Sequence, residues 1–109
     1  MGIVDNLEAM LARGQDSALL RFSLGGEYLK LGELTQSLVH LRRAVELDPG
    51  YSAAWKLCGK ALVEAGRPAE ALSVFDAGIQ AARERGDIQA AKEMEVFRRR
   101  AAKQLGALG

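Results

Sequence analysis

Two glycines, Gly25 and Gly32, return as Gly59 and Gly66 after the same 34 residues, and this period constrains the chain more than any other feature of it. Gly25 and Gly26 stand inside "SLGGEYLKLGE", among strong helix formers, where each glycine costs about 1 kcal/mol relative to alanine. A phosphate-cradling loop would justify them, and so would the close approach of two helices. The period decides. A phosphate loop has no reason to be copied one period later, whereas a packing glycine belongs in every copy of a repeated helix pair. At the same offset Leu24 meets Cys58, Tyr28 meets Leu62, Ser37 meets Ala71, Leu38 meets Leu72, Leu41 meets Phe75, Ala44 meets Gly78 and Val45 meets Ile79. Small residues fall on small ones and apolar on apolar.

Each copy reads as two helices. In the first copy one helix runs from about Asp16 to Leu31, with Leu20, Leu24, Tyr28 and Leu31 on one face, and Gly32 ends it. The next runs from about Glu33 to Leu47 with the stripe Leu34, Leu38, Leu41, Val45, and Asp48-Pro49-Gly50 stops it. In the second copy Ser52 is the expected N-cap, Trp55, Cys58, Leu62 and Ala65 form the stripe, and Gly66 closes the helix. Pro68 then enters the first turn of the following helix, where its missing N–H costs nothing, and Ala71, Leu72, Phe75 and Ile79 lead toward Gly86.

Two flanking helices remain. Ile3, Leu7, Met10 and Leu11 form a stripe ending at Gly14, and Leu7 lies 34 residues before Leu41, so this segment reads as the second helix of a preceding repeat. After Asp87, a cap candidate, Ala90, Met94, Phe97, Ala101 and Leu105 share a face opposite a run of arginines. The expectation is one all-α domain over residues 1–109 with about six helices: a flanking helix in 1–15, repeats over 16–50 and 51–86, and a capping helix and tail in 87–109.

With 49% hydrophobic and 27% charged residues the chain has the composition of a globular domain. Its net charge of +1 excludes a global polycation. From Arg83 onward, however, seven basic residues face four acidic ones, so the last quarter is basic. The single cysteine, Cys58, allows no internal disulfide and suits a reducing compartment. No apolar run approaches bilayer length and no charged-then-apolar leader opens the chain, which makes cytoplasm the expected location. Met1-Gly2 invites myristoylation, but Asn6 stands where that motif needs Ser or Thr.

The residues resemble the tetratricopeptide repeat family, whose 34-residue helix-turn-helix carries Trp-x-x-Leu-Gly-x-x-Tyr, then Ala-x-x-x-Phe, then Ala and Pro. The second copy supplies Trp55, Cys58-Gly59, Leu62, Ala71, Phe75 and Gly78; the first supplies Arg21, Leu24-Gly25, Tyr28, Ser37, Leu41, Ala44 and Pro49. The departures are Arg21 for Trp, Leu62 for Tyr, and Arg83 where the second copy should have Pro. With no breaker before Gly86, the last departure predicts a longer fourth helix and an altered register for the final one. The resemblance implies a right-handed superhelix of stacked antiparallel helix pairs, non-enzymatic, with a concave face lined by the first helix of each pair and holding a peptide or a partner's helix.

The chemistry of the chain is otherwise sparse. His40, the only histidine, has no Cys or carboxylate at ligand spacing and reads as a solvated helix residue; Cys58 reads as a buried inert thiol, and Trp55 as core. No catalytic residue, cofactor or metal site is expected. The groove candidates are more specific. Leu19, Phe22, Gly26 and Leu29 form a second apolar stripe beside the core stripe, and the 34-residue offset brings Ala53, Lys56, Lys60 and Val63 to the matching face. Gly26 leaves a gap there, either for a ligand or for packing under the N-terminal helix. Lys92 and Arg99 extend the positive strip. In chaperone-binding relatives Lys and Asn side chains on this face grip a C-terminal carboxylate; Lys56 and Lys60 match in part, but Phe22 and Gly26 replace a Lys and an amide, so the full clamp is absent. The expected partner is a protein segment with an apolar anchor and an acidic group. Self-association through the apolar stripe is the main alternative. Nucleic-acid binding through Arg98, Arg99, Arg100 and Lys103 is disfavoured because no exposed aromatics interleave them.

Overall fold

The computed structural model describes residues 2–108, which form six α-helices: α1 (Ile3–Ala12), α2 (Ala18–Lys30), α3 (Leu34–Leu47), α4 (Ser52–Glu64), α5 (Pro68–Arg85) and α6 (Ile88–Leu108). Successive helices pack on one another in chain order, and among the described residues the further pairings are α2 with α4 and α4 with α6. The even-numbered helices therefore line one face of the stack, and the molecule is a slab of 43 × 31 × 18 Å. A stack of this kind has no single centre. Its core is a row of side chains passed from helix to helix, with Leu24, Leu41, Leu62, Phe75 and Met94 fully buried.

The repeated glycines make that row possible. A Cβ on Gly25 would come within 3.0 Å of Leu41, and a Cβ on Gly59 within 3.0 Å of the Phe75 ring, closer than real Cβ atoms approach a neighbour. Leu41 and Phe75 are each 0% exposed and occupy the space that the absent methyl leaves. In the first copy Ser37 adds a hydrogen bond, its hydroxyl donating to the Gly25 carbonyl at 2.7 Å. The second pair of repeated glycines has another task. Gly32 and Gly66 both have φ +75°, and the residue after each donates its N–H back to the last full turn, Glu33 to Tyr28 O and Arg67 to Leu62 O, both 2.9 Å. This left-handed closure satisfies helix-end carbonyls and suits glycine best.

Two boundaries differ in detail from the sequence expectation. Helix α2 starts at Ala18 rather than at about Asp16, and Ser17 caps it, accepting from the Leu20 N–H at 3.0 Å. Ser52 is not the cap of α4; Tyr51 holds that position, and the Ser52 hydroxyl donates to Asp87 at 2.8 Å. Asp87 in turn caps the last helix, accepting from the Ala90 N–H at 3.2 Å. With Arg83 in place of a helix breaker, α5 reaches 18 residues against 14 in α3. Its end is tied back by an Arg85–Asp48 ion pair of 2.9 Å, with the Arg85 guanidinium lying over Gly50. As a result α6 begins 36 residues after α4, whereas α4 begins 34 after α2.

Gly59→Ala and Gly25→Ala should therefore destabilise the protein by about 1–3 kcal/mol, because overpacking outweighs the helix propensity gained. Urea unfolding checks this: variants as stable as the parent would mean that the close approach does not govern packing.

Candidate binding groove

Four apolar side chains meet where α2 crosses α4. Phe22 and Leu29 come from α2, Leu57 from α4, and α1 adds Leu7 as a flanking wall, together enclosing an open cleft of about 740 Å³. Gly26 lies between Phe22 and Leu29. A Cβ there would meet only a Leu57 methyl at 3.4 Å, an ordinary contact, so this glycine is not held by packing as Gly25 is. Phe22 is half-buried and rests on Tyr51 with ring centroids 5.0 Å apart. On the rim are the Glu27–Lys30 pair, Lys60 and Glu64.

A smaller hollow of about 220 Å³ opens between α4, α5 and α6 and shares Lys60 and Glu64 with the cleft. Val63, Phe75, Phe97 and Ala101 line it, and its mouth carries two cations on one ring: Lys60 Nζ lies 5.2 Å and Arg100 Cζ 5.7 Å from the Phe97 centroid. Among the described residues neither cation has a carboxylate within 4 Å.

The expected groove residues are divided by this geometry. Phe22, Gly26, Leu29 and Lys60 share the cleft, and Val63 lines the adjoining hollow. Leu19, 65% exposed, stands apart in a shallow hollow beside Met10 of α1. Lys56 is engaged within the chain, donating to Glu93 at 2.9 Å and holding that carboxyl below its ordinary range. Lys92 and Arg99 are exposed on α6 and line neither hollow. Leu57, Phe97 and Arg100 are in the site without having been expected there. Leu57 was readable, since Leu57, Lys60 and Glu64 follow the three-then-four spacing of one helical face; Phe97 and Arg100 depend on the altered register of α6.

Beneath α1 lies a polar cluster. His40, expected in solvent, is 8% exposed. Asp16 grips Arg21 through two contacts of 2.8 and 3.1 Å, and Arg21 Nη1 lies 3.1 Å from His40 Nδ1. An arginine can only donate, so Nδ1 accepts and the neutral ring carries its proton on Nε2. That atom faces Glu8 Oε1 of α1 at 3.7 Å, a buried oxygen without a hydrogen-bond partner, and the ring is stacked on Tyr28 at 5.6 Å. Burial pushes the His40 pKa below its ordinary 6.5; Glu8 and Asp16 oppose this and Arg21 adds to it. The sequence held a signal for this, because one period on from His40 stands Val74, which is also buried. Arg21 and His40 replace Trp55 and Val74 together, and the two polar side chains meet.

Cys58 is 1% exposed and burial pushes its thiol pKa up, the state of an unreactive core residue. Among the described residues no group of three or more His, Cys, Asp or Glu is placed to hold a metal, and no helix is long and apolar enough to cross a membrane.

A family model described as tetratricopeptide repeat matches residues 28–94. TPR repeat-containing protein PA0015 of Pseudomonas aeruginosa is 50% identical over 98 residues, covering 90% of this chain and 93% of that protein. The solution structure of protein BPP2914 from Bordetella parapertussis matches at a TM-score of 0.82 and 46% identity, over 95% of this chain and 90% of that one. The TPR2B domain of yeast Sti1, solved in a complex with pHsp70, matches at 0.86 with 22% identity, over 93% and 81% of the two chains, a likeness of fold.

Because His40 is the only histidine, its titration separates from that of the carboxylates. The folded chain holds the ring neutral, while the unfolded chain takes up a proton near the ordinary value of 6.5. Stability present above that pH should thus be lost as the pH falls through 6.5 toward the lower folded value. Unfolding by urea at stepped pH should show this loss in the parent and not in His40→Val; an equal loss in both would assign it elsewhere. Gly26→Ala should leave stability unchanged or raise it by up to about 1 kcal/mol, against the loss at Gly25, and the same urea series reads both.

Proposed function

The chain belongs to the tetratricopeptide repeat family, and we propose on that premise that it is a non-enzymatic protein-interaction module, an assembly adaptor of the cytoplasm, that takes up a segment of a partner along its α2–α4–α6 face. The observation that carries this reading is the open cleft at Gly26: a helix position without packing necessity, bordered by Phe22, Leu29 and Leu57. A glycine placed in a helix against its propensity cost, where an added methyl would meet only Leu57 at ordinary contact distance, leaves room for an outside side chain. The fold shared with the Sti1 domain, which was solved holding a partner, accords with such a use of the face.

The charges specify the partner further. Lys56 is committed to Glu93, so the cations available to a ligand are Lys60 and Arg100, flanking Phe97 one hollow further along. The segment bound is an apolar anchor seated over Gly26, followed toward α6 by an acidic group between these two cations. Glu64 on the same rim disfavours a second acid beside the anchor. Exposed charge pairs contribute about 0–1 kcal/mol each, so the apolar contact carries most of the affinity and the cations set selectivity. A short segment bound this way reaches micromolar strength, about −8 kcal/mol.

Selection from a random peptide library on the immobilised full chain should enrich sequences with a large apolar residue near Asp or Glu. In calorimetry Gly26→Leu should abolish their binding. Lys60→Glu combined with Arg100→Glu should weaken it about tenfold and flatten its salt dependence. Enriched peptides that bind both folded variants as well as the parent would refute the assignment.

A further inference from the structure

The two ends of the stack are complementary. Among the described residues every interior helix is covered on both sides, whereas α1 packs on α2, with Glu8 reaching His40 of α3, and α6 packs on α5 and α4. By its 34-residue offset α1 takes the place of the second helix of a pair; by its pairing with α4, α6 takes that of a first. Placing α1 of one copy against α6 of another restores the alternating order of helices across the joint.

Charge and exposed apolar surface are complementary as well. Within α1 there are two acids, Asp5 and Glu8, the latter with one oxygen turned inward to His40, and no basic residue before the capping Arg13; α6 carries five basic residues against two acids. The two acids of α6 are already engaged, Glu93 by Lys56 and Glu95 by Arg83. On its outer face Lys92, Arg99 and Lys103 are exposed, and among the described residues none has a carboxylate within 4 Å. Beside these cations Ile88 is 53% and Val96 37% exposed. At the opposite end Leu19 is 65% exposed next to a hollow of about 210 Å³ formed with Met10 and Leu20, and Asp5 is exposed on α1. Apolar residues left bare at both ends, with acids on one end helix and unpaired cations on the other, suit two halves of one contact.

We propose that copies of this chain associate end to end, the basic outer face of α6 in one copy receiving the acidic α1 end of the next. The two surfaces differ, so the contact is heterologous and each copy keeps one free end of each kind; association is open-ended rather than closed at a dimer. The one glycine of α6, Gly106, stands at its far end, beyond Lys92, Arg99 and Lys103, so the joint rests on charge and on the exposed apolar residues. It is therefore weak and sensitive to salt. The Lys60–Arg100 hollow takes no part in it, which makes the outcome independent of the ligand reading above.

Sedimentation velocity on the full chain, from about 10 µM to about 1 mM, reads the result directly. In low salt the weight-average mass should rise past that of a dimer with concentration, and about 0.5 M salt should return it to the monomer. Arg99→Glu combined with Lys103→Glu should stay monomeric, and so should Asp5→Lys. An equimolar mixture of these two variants should associate again, because each now offers the end that the other lacks. A parent that stays monomeric throughout, a mass that stops at the dimer, or a mixture that stays monomeric when both variants are folded by circular dichroism would each overturn the proposal.

Discussion

Everything in this fold follows from how near Leu41 comes to Gly25 and Phe75 to Gly59. In each pair a large side chain of a second helix fills the volume that a missing methyl leaves on the first. The helix axes thereby come close enough for the remaining stripe residues to interlock, and the row of buried side chains from Leu38 to Met94 becomes continuous. The cost falls on local helix propensity, about 1 kcal/mol per glycine. It is offset by burial of a leucine or phenylalanine, at about 1.5–3 kcal/mol each. Adjacent glycines with opposite roles show how local the constraint is. Gly25 is fixed by a neighbour; Gly26, one residue and about 100° further round the helix, borders open space.

Charge is distributed with the same economy of position. Four cations are tied to a carboxylate of a neighbouring helix: Lys56 to Glu93, Arg42 to Glu70, Arg98 to Asp76, Arg83 to Glu95. Each such pair crosses from one helix to another and therefore reinforces the stacking order rather than a single helix. Exposed pairs of this kind add little stability individually. Their larger effect here is to leave six cations without a carboxylate within 4 Å among the described residues: Lys60 and Arg100 beside the Phe97 hollow, Lys92, Arg99 and Lys103 along the outer face of α6, and Arg13 at the end of α1.

The fold was legible because its determinants are periodic. A two-helix unit that must appear twice writes the same glycines, the same stripe and the same turn chemistry twice, and either copy corrects the reading of the other. What was not legible depends on contacts between copies. His40 looked solvated because no ligand spacing surrounds it, yet its position is the buried one of Val74, and Arg21 supplies the polar partner from another helix. Lys56 looked available because its partner Glu93 lies 37 residues on, outside the period. The same two-residue stretch between α4 and α6 governs Phe97 and Arg100, which face the hollow while Lys92 and Arg99 face away. Phe22, Gly26, Leu29 and Lys60 were readable as one surface because they rest on the unstretched part of the repeat, and Leu57 lies on that same part.

Helix α1 contributes a wall to the main cleft and yet buries none of its own residues. Its attachment consists of half-covered side chains and of Glu8, whose inward oxygen has no donor. A helix so held should rank among the least protected parts of the molecule in amide exchange. Because Leu7 forms part of the cleft, any guest touching both Leu7 and Phe22 takes over part of the work of fastening the helix. Occupancy would be recorded as slower amide exchange along α1, ten residues of backbone reporting on an event at their side chains.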